Sequence, residues 1–128
     1  MTRTKGGSAG NPGTTVDHGE WVTLLAKVTA NHEGQYVTIE VLGSTFGDEE
    51  AADRLPFAYA TYDPRDDVVI VAVGGRSGRY PVVLRHMVEH PTEVAASEAG
   101  RDGAGLKVVE ADGTTTIVGF YPDRVDDI

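Results

Sequence analysis

An α+β fold, with an N-terminal helix packed on a mostly antiparallel, strongly curved sheet or half-barrel of six to seven strands, is what this 128-residue sequence predicts. Three observations carry that prediction. A single amphipathic stripe lies near the N-terminus. After Gly34 the apolar residues recur with a period of two or in short apolar blocks, the spacing of strands. The connections between those blocks are too short for the crossovers that parallel strands require.

Residues 1–16 are rich in Gly, Ser and Thr, contain Pro12, and after Met1 offer one large apolar residue, Val16. They cannot offset their ordering entropy by burial and are expected to form a disordered tail. Asp17 and Glu20 have the spacing of a capping-box-like pair at a helix start. Trp21, Leu24, Leu25 and Val28 then fall on one stripe, predicting a helix over about 18–32 with Trp21 as its largest anchor. Gly34 suits the left-handed position that ends a helix, because it has no Cβ to clash.

Val37, Ile39 and Val41 alternate with Thr38, Glu40 and Leu42, a strand with one buried face. Residues 43–53, with Gly47 and the run Asp48-Glu49-Glu50, read as a solvated acidic loop. That loop lacks the alternating oxygen ligands and closing glutamate of a calcium-binding loop. Leu55, Phe57 and Tyr59 predict a second strand, with Pro56 at its start or on an edge. Asp63-Pro64-Arg65-Asp66 is a turn by residue type. Val68 to Val73 is apolar throughout and reads as a central strand covered on both faces.

Gly74-Gly75-Arg76-Ser77-Gly78-Arg79 reads first as a hairpin loop, with Arg76 and Arg79 as candidate anion ligands beside free amides. It lacks the Lys-Ser or Lys-Thr pair and following helix of a phosphate-binding loop. A strand through Val82 and Leu84 follows. His86-Met87-Val88-Glu89-His90 matches the inverted zinc-peptidase pattern, whose chemistry needs both histidines one helical turn apart. His86 instead continues a strand alternation, and Pro91 blocks a helix. On a strand the two histidines stand ~13 Å apart, too far to share a zinc ion. His86 is thus a histidine on a mostly apolar strand face, hydrogen-bonded in the core or lining a cleft.

Residues 91–100 fit a strand better than a short helix, and 99–105 read as a loop. Asp112-Gly113 between two β-rich runs predicts a two-residue hairpin loop pairing Val108 with Ile117 and Leu106 with Gly119. Pro122 is expected to end the sheet, leaving residues 123–128 as an acidic tail. The organisation is therefore a tail over 1–16, a single domain over 17–122 and a C-terminal tail over 123–128.

Composition excludes several function classes. Twenty acidic against eleven basic residues give a net charge of −9, which repels nucleic acid and anionic membrane surfaces. No apolar run approaches the ~18 residues of a membrane span, and no secretory signal is recognisable, so a cytoplasmic protein is expected. The absence of cysteine excludes disulfides, thiolate metal sites and a cysteine nucleophile.

Several motifs together resemble a known family. Glu20-Trp21 on the helix, His32-Glu33-Gly34 before the Val-Thr-Ile-Glu-Val strand, and Leu55-Pro56 come first. His86 ahead of Pro91-Thr92, and Asp112-Gly113-Thr114-Thr115-Thr116, complete the set. In this order they are similar to a family of small bacterial proteins catalogued as domain of unknown function 5335, over about residues 19–121. The N-terminal tail and the Arg76 to Arg79 loop depart from it. The resemblance implies a single-domain cytoplasmic bacterial protein and supplies no reaction and no site residues.

Two functional readings follow from the residues. The favoured one is a non-enzymatic interaction or ligand-binding module, without cofactor or metal, whose partner is a protein or small molecule. A homodimer through an exposed strand edge is one form it would take. The alternative is a small hydrolase or isomerase with His86 as general base, helped by Glu40, Glu89 or Tyr80, and with Arg76 and Arg79 holding an anionic substrate. A lone histidine is a poor warrant for catalysis, which places the binding module first.

Overall fold

A computed structural model describes residues 14, 15, 17–43, 47–74, 84–97 and 104–124. Helix α1 spans Trp21–His32, preceded by a single 3-10 turn at His18–Glu20. The strands are β1 Thr14–Thr15, β2 Gln35–Gly43, β3 Gly47–Asp63 and β4 Val68–Val73, then β5 Leu84–Glu89, β6 Pro91–Ser97, β7 Ala104–Glu110 and β8 Thr115–Arg124. Among the described residues they form one antiparallel sheet in the order β1-β6-β7-β8-β2-β3-β4-β5, whose end strands β1 and β5 do not pair there, so the sheet they make is not closed. This agrees with the α+β class and with seven principal strands, to which the two-residue β1 is added. No helix among the described residues is long and apolar enough to cross a membrane.

The helix forms where the stripe demanded, with Trp21, Leu25, Val28 and also His32 buried. His32 lies flat on Phe120, ring centroids 4.2 Å apart, and its Nδ1 meets Gln35 Oε1 at 2.6 Å. The expected capping box is not made. Asp17 takes the N-cap backbone conformation, but its side chain caps nothing, and the turn is closed by Glu20 N–H donating to the Asp17 carbonyl at 2.8 Å. Gly34 ends the helix at φ +88, as expected, and donates its N–H to the Phe57 carbonyl. Helix and sheet are thereby joined at the point of chain reversal.

Helix and strands share one core. Leu25, Ile39, Phe57, Leu106 and Val118 are all buried within it. Each such side chain contributes about 1.5–3 kcal/mol by leaving water. Thr29 ties the helix to β3 with two bonds: its hydroxyl donates to the Ala60 carbonyl at 3.1 Å and accepts from the Ala60 N–H at 3.0 Å.

Several sequence expectations are corrected by the structure. The acidic run is not a loop: Asp48, Glu49 and Glu50 begin β3 and pair with Leu42, Val41 and Glu40 of β2. The β2 ladder satisfies their backbone while Glu49 and Glu50 extend into water. Acidic residues are poor strand formers on their own, so this is tertiary pairing overriding propensity. The predicted second strand is then the second half of the same β3. Pro56 lies inside it, where pairing passes from β2 (Tyr36 opposite Pro56) to β4 (Phe57 opposite Val73). The Pro56 carbonyl accepts the Gly74 N–H at 2.7 Å, just past the last rung of β4, so its missing N–H interrupts no ladder.

The last hairpin is in a different register. Val108 faces Thr116 and Leu106 faces Val118, one residue away from the expected pairs. Of Asp112 and Gly113 only Gly113, at φ +93, is left-handed. The Glu110 carbonyl accepts the Gly113 N–H while the Glu110 N–H donates to the Thr114 carbonyl. That is a three-residue loop built on a type I turn and a bulge, not the two-residue loop that needs two positive φ values. The one-residue difference puts Val108, Thr116, Leu106 and Val118 together on the inner face.

Finally, Pro122 does not end the sheet: β8 continues to Arg124, which faces Gln35 across a register shift. Past Phe120, β8 has no β7 partner among the described residues, so a residue without an N–H is tolerated there. At the other terminus Thr14 and Thr15 pair with Ala96 and Ala95, inside the stretch expected to be tail. Residues 1–13 and 125–128, and the centre of the loop expected over 99–105, lie outside the described residues. The strand preferred for 91–100 is observed as β6, and Val68–Val73 is the buried strand expected.

Candidate functional site

His86 lies on β5 opposite Val71 and alternates with the exposed Arg85 and Met87. It is half-buried, and its Nε2 meets the hydroxyl of the fully buried Thr116 on β8 at 3.1 Å. Burial pushes its pKa below the usual histidine value, so the ring is held neutral at neutral pH. Glu89, an odd number of residues along β5, is exposed on the opposite face. Glu40 is exposed on β2 opposite Ile117, the neighbour of Thr116, and so also faces away. The structure therefore does not bring either proposed carboxylate to His86. Arg76, Arg79 and Tyr80 lie outside the described residues. His86 to His90 is strand up to Glu89, not the helix that the zinc-peptidase pattern needs.

The structure assembles a different group of titratable side chains. His18 in the 3-10 turn, Tyr62 at the end of β3, Asp67 in the β3–β4 turn and His90 between β5 and β6 form one hydrogen-bonded chain. Tyr62 donates its only proton to Asp67 Oδ1 at 2.6 Å, so its oxygen accepts from His18 Nε2 at 3.0 Å. Asp67 Oδ2 accepts from His90 Nδ1 at 3.2 Å. Each bond points toward Asp67. The Tyr62 bond, seconded by His90, holds the Asp67 carboxyl below its usual range. The same bond, then burial and the charges of Asp67 and Asp63, push the Tyr62 phenol up to about 12.

Aromatic packing and backbone geometry reinforce this chain. The His18 ring sits 4.2 Å from Trp21, and Trp21 meets Tyr62 edge-on at 5.1 Å. Asp67 and His90 both have positive φ, +54 and +53, and the His90 N–H donates to the Asp67 carbonyl. Two costly backbone conformations are thus secured by each other. The hydrogen bonds of this chain join the 3-10 turn, the end of β3, the β3–β4 turn and the β5–β6 junction. Apart from Tyr62 and Asp67, five residues apart, its members are distant in sequence, and no local pattern announces them. Among the described residues no group of three histidines or carboxylates is arranged to hold a metal ion.

A third cluster sits on the surface of β2, β3 and β8. Arg54 places its guanidinium carbon 4.2 Å from the centre of the Tyr121 ring and 5.6 Å from that of Tyr36. Tyr121 is steadied by its hydroxyl, 2.9 Å from Thr38 Oγ1. Arg54 occupies a bulge in β3, where Val37 faces Leu55 but Ile39 faces Ala52, and it has φ +55. No sequence pattern announces this cluster, since an arginine and two tyrosines on separate strands carry no spacing signal.

Comparison with known proteins adds the following. A family model described as "Family of unknown function (DUF5335)" matches residues 13–127. An uncharacterized protein of Aquifex aeolicus (strain VF5) is 24% identical over 103 residues, which is 80% of this chain and 86% of that protein. No solved structure matches.

Proposed function

The chain belongs to the DUF5335 family of unknown function, and from that premise we propose that it is a non-enzymatic interaction or ligand-binding module. The observation that carries this reading is the use to which His86 is put. Strands β5 and β8 are four places apart in the sheet order, a separation of ~19 Å in a flat sheet at ~4.8 Å per strand. Yet His86 and Thr116 are in hydrogen-bond contact. This supports a sheet strongly curled over the helix, with His86 as an internal strut and its neutral ring committed to Thr116. Strut duty leaves a general base without the carboxylate that would orient it.

Binding then falls to the outer surface. The exposed edge of β5, paired only with β4 among the described residues and carrying the exposed Met87, is where a second copy would add in a homodimer. A cytoplasmic setting accords with the cysteine-free composition.

Native mass spectrometry and light scattering on the purified protein, alongside a substitution His86→Gln, test the reading. The expected result is a dimer or a bound molecule released chemically unchanged, with H86Q altering stability alone. Turnover of a hydrolysable or isomerisable substrate that H86Q abolishes would overturn it in favour of the hydrolase or isomerase.

A further inference from the structure

We propose that Arg54, laid on Tyr121 and Tyr36, is a receptor for a carboxylate monoanion. The proposal rests on the binding-module reading and names the ligand class for one surface of it.

Three independent observations converge on Arg54. The first is conformational. A residue at φ +55 in a β-bulge is where glycine fits without strain, and any side chain there is strained. The other two non-glycine residues with positive φ among the described residues, Asp67 and His90, are held by bonds to each other. The Arg54 side chain makes no such hydrogen bond among the described residues.

The second observation is the ring floor. Tyr121 and Tyr36 lie beneath a guanidinium whose residue is itself exposed, and the Thr38 bond fixes Tyr121 in place. Stacking on aromatic rings removes water from one side of the guanidinium and restrains its orientation. The fork of N–H groups is thereby set in position before any ligand arrives, which lowers the ordering cost of binding.

The third observation concerns the fork itself. The chain has 20 carboxylate side chains against 11 basic ones, so an arginine here meets acids easily. Among the described residues, however, the contacts of Arg54 are the two rings, with no hydrogen bond or ion pair to its N–H groups. A planar fork with free donors matches the two oxygens of a carboxylate.

Charge selects the monoanion over phosphate. Arg54 is a single positive charge next to exposed Asp53 and on the same strand as exposed Glu49 and Glu50, in a protein of net charge −9. A dianion doubles both its attraction to the guanidinium and its repulsion from those groups, while its desolvation cost rises as the square of its charge, so a lone arginine in acidic surroundings suits the monoanion. The carboxylate belongs either to a free small acid or to a peptide side chain, and the two share this chemistry.

The test is an NMR titration of the whole chain, following the Arg54 Nε–H signal and the Tyr36 and Tyr121 ring signals. The probes are sodium benzoate, sodium acetate, a capped peptide bearing one glutamate, and inorganic phosphate. Saturable shifts with at least one carboxylate probe are expected, and whichever responds more strongly identifies the source. R54K, which keeps the charge but loses the fork, is expected to weaken the response roughly tenfold, as loss of one charge-assisted bond implies. R54G removes the guanidinium while suiting the positive φ, so it is expected to stay folded and to lose the ring-signal response altogether. Equal or tighter binding of phosphate, an unchanged response in R54K or R54G, or no saturable shift with any carboxylate would each overturn the proposal. Substrate turnover would instead defeat the binding-module reading and leave the Arg54 result standing.

Discussion

Replacing Thr29 with valine removes one hydroxyl and nothing else of comparable size, yet it is expected to be among the costlier single changes in this protein. The hydroxyl serves both backbone groups of Ala60, a residue 3% exposed, at 3.0 and 3.1 Å. Pairing of β3 with β2 ends at Pro56, so on that side Ala60 has no strand beside it, and a helix side chain stands in for the missing ladder. Thr29→Val leaves a buried N–H and a buried C=O without their partner, at about 1–3 kcal/mol each. The sum is about 2–6 kcal/mol, with the lower half favoured because Thr29 is only half-buried and water can reach it. For a chain of this length that corresponds to a fall in Tm of roughly 10 °C. Thr29→Ser keeps the hydroxyl and loses a methyl group, costing about 0.8 kcal/mol. Urea and thermal denaturation of the three proteins measure both quantities. A T29V protein within experimental error of wild type, or a T29S protein as unstable as T29V, would refute the assignment of Thr29 as a ladder substitute.

Other outcomes follow from the same contacts. Since burial lowers the His86 pKa from its ordinary 6.5, the unfolded chain binds the proton more readily; stability is therefore complete above about that pH and falls as the pH drops through the folded value. His86→Gln is expected to flatten this acid limb in pH-dependent melting, and an unchanged limb would show that other groups cause it. Tyr62 shows the opposite sign: its phenol is raised from 10.0 to about 12, so its contribution is lost as pH rises between those values. An ultraviolet titration should find one of the five tyrosines ionising late, and Asp67→Asn should return it toward the others. Gly113→Ala meets no atom within 4 Å but must adopt φ +93, a cost of about 1–2 kcal/mol, whereas Gly19→Ala, with equal space and no positive φ, should be near neutral. Equal melting temperatures for these two variants would mean that the hairpin loop relaxes to another turn.

By itself the sequence determined those features whose cause is local. The helix follows from its apolar stripe and stops at Gly34 because only a residue without Cβ takes φ +88 cheaply. The buried strand Val68–Val73 follows from an unbroken apolar run, and the antiparallel order from short connections. The strand through His86 follows from the alternation around it and from Pro91, which blocks a helix. Tertiary structure decided what depends on pairing. It made Asp48-Glu49-Glu50 a strand, because β2 supplied hydrogen bonds that no acidic run provides for itself. It moved the last hairpin by one residue, because one left-handed residue, not two, closes the loop. It also gathered His18, Tyr62, Asp67 and His90 from four segments, and Arg54, Tyr36 and Tyr121 from three strands. A spacing pattern reports neighbours along the chain, whereas both clusters exist only because the sheet brings distant residues within a few ångströms.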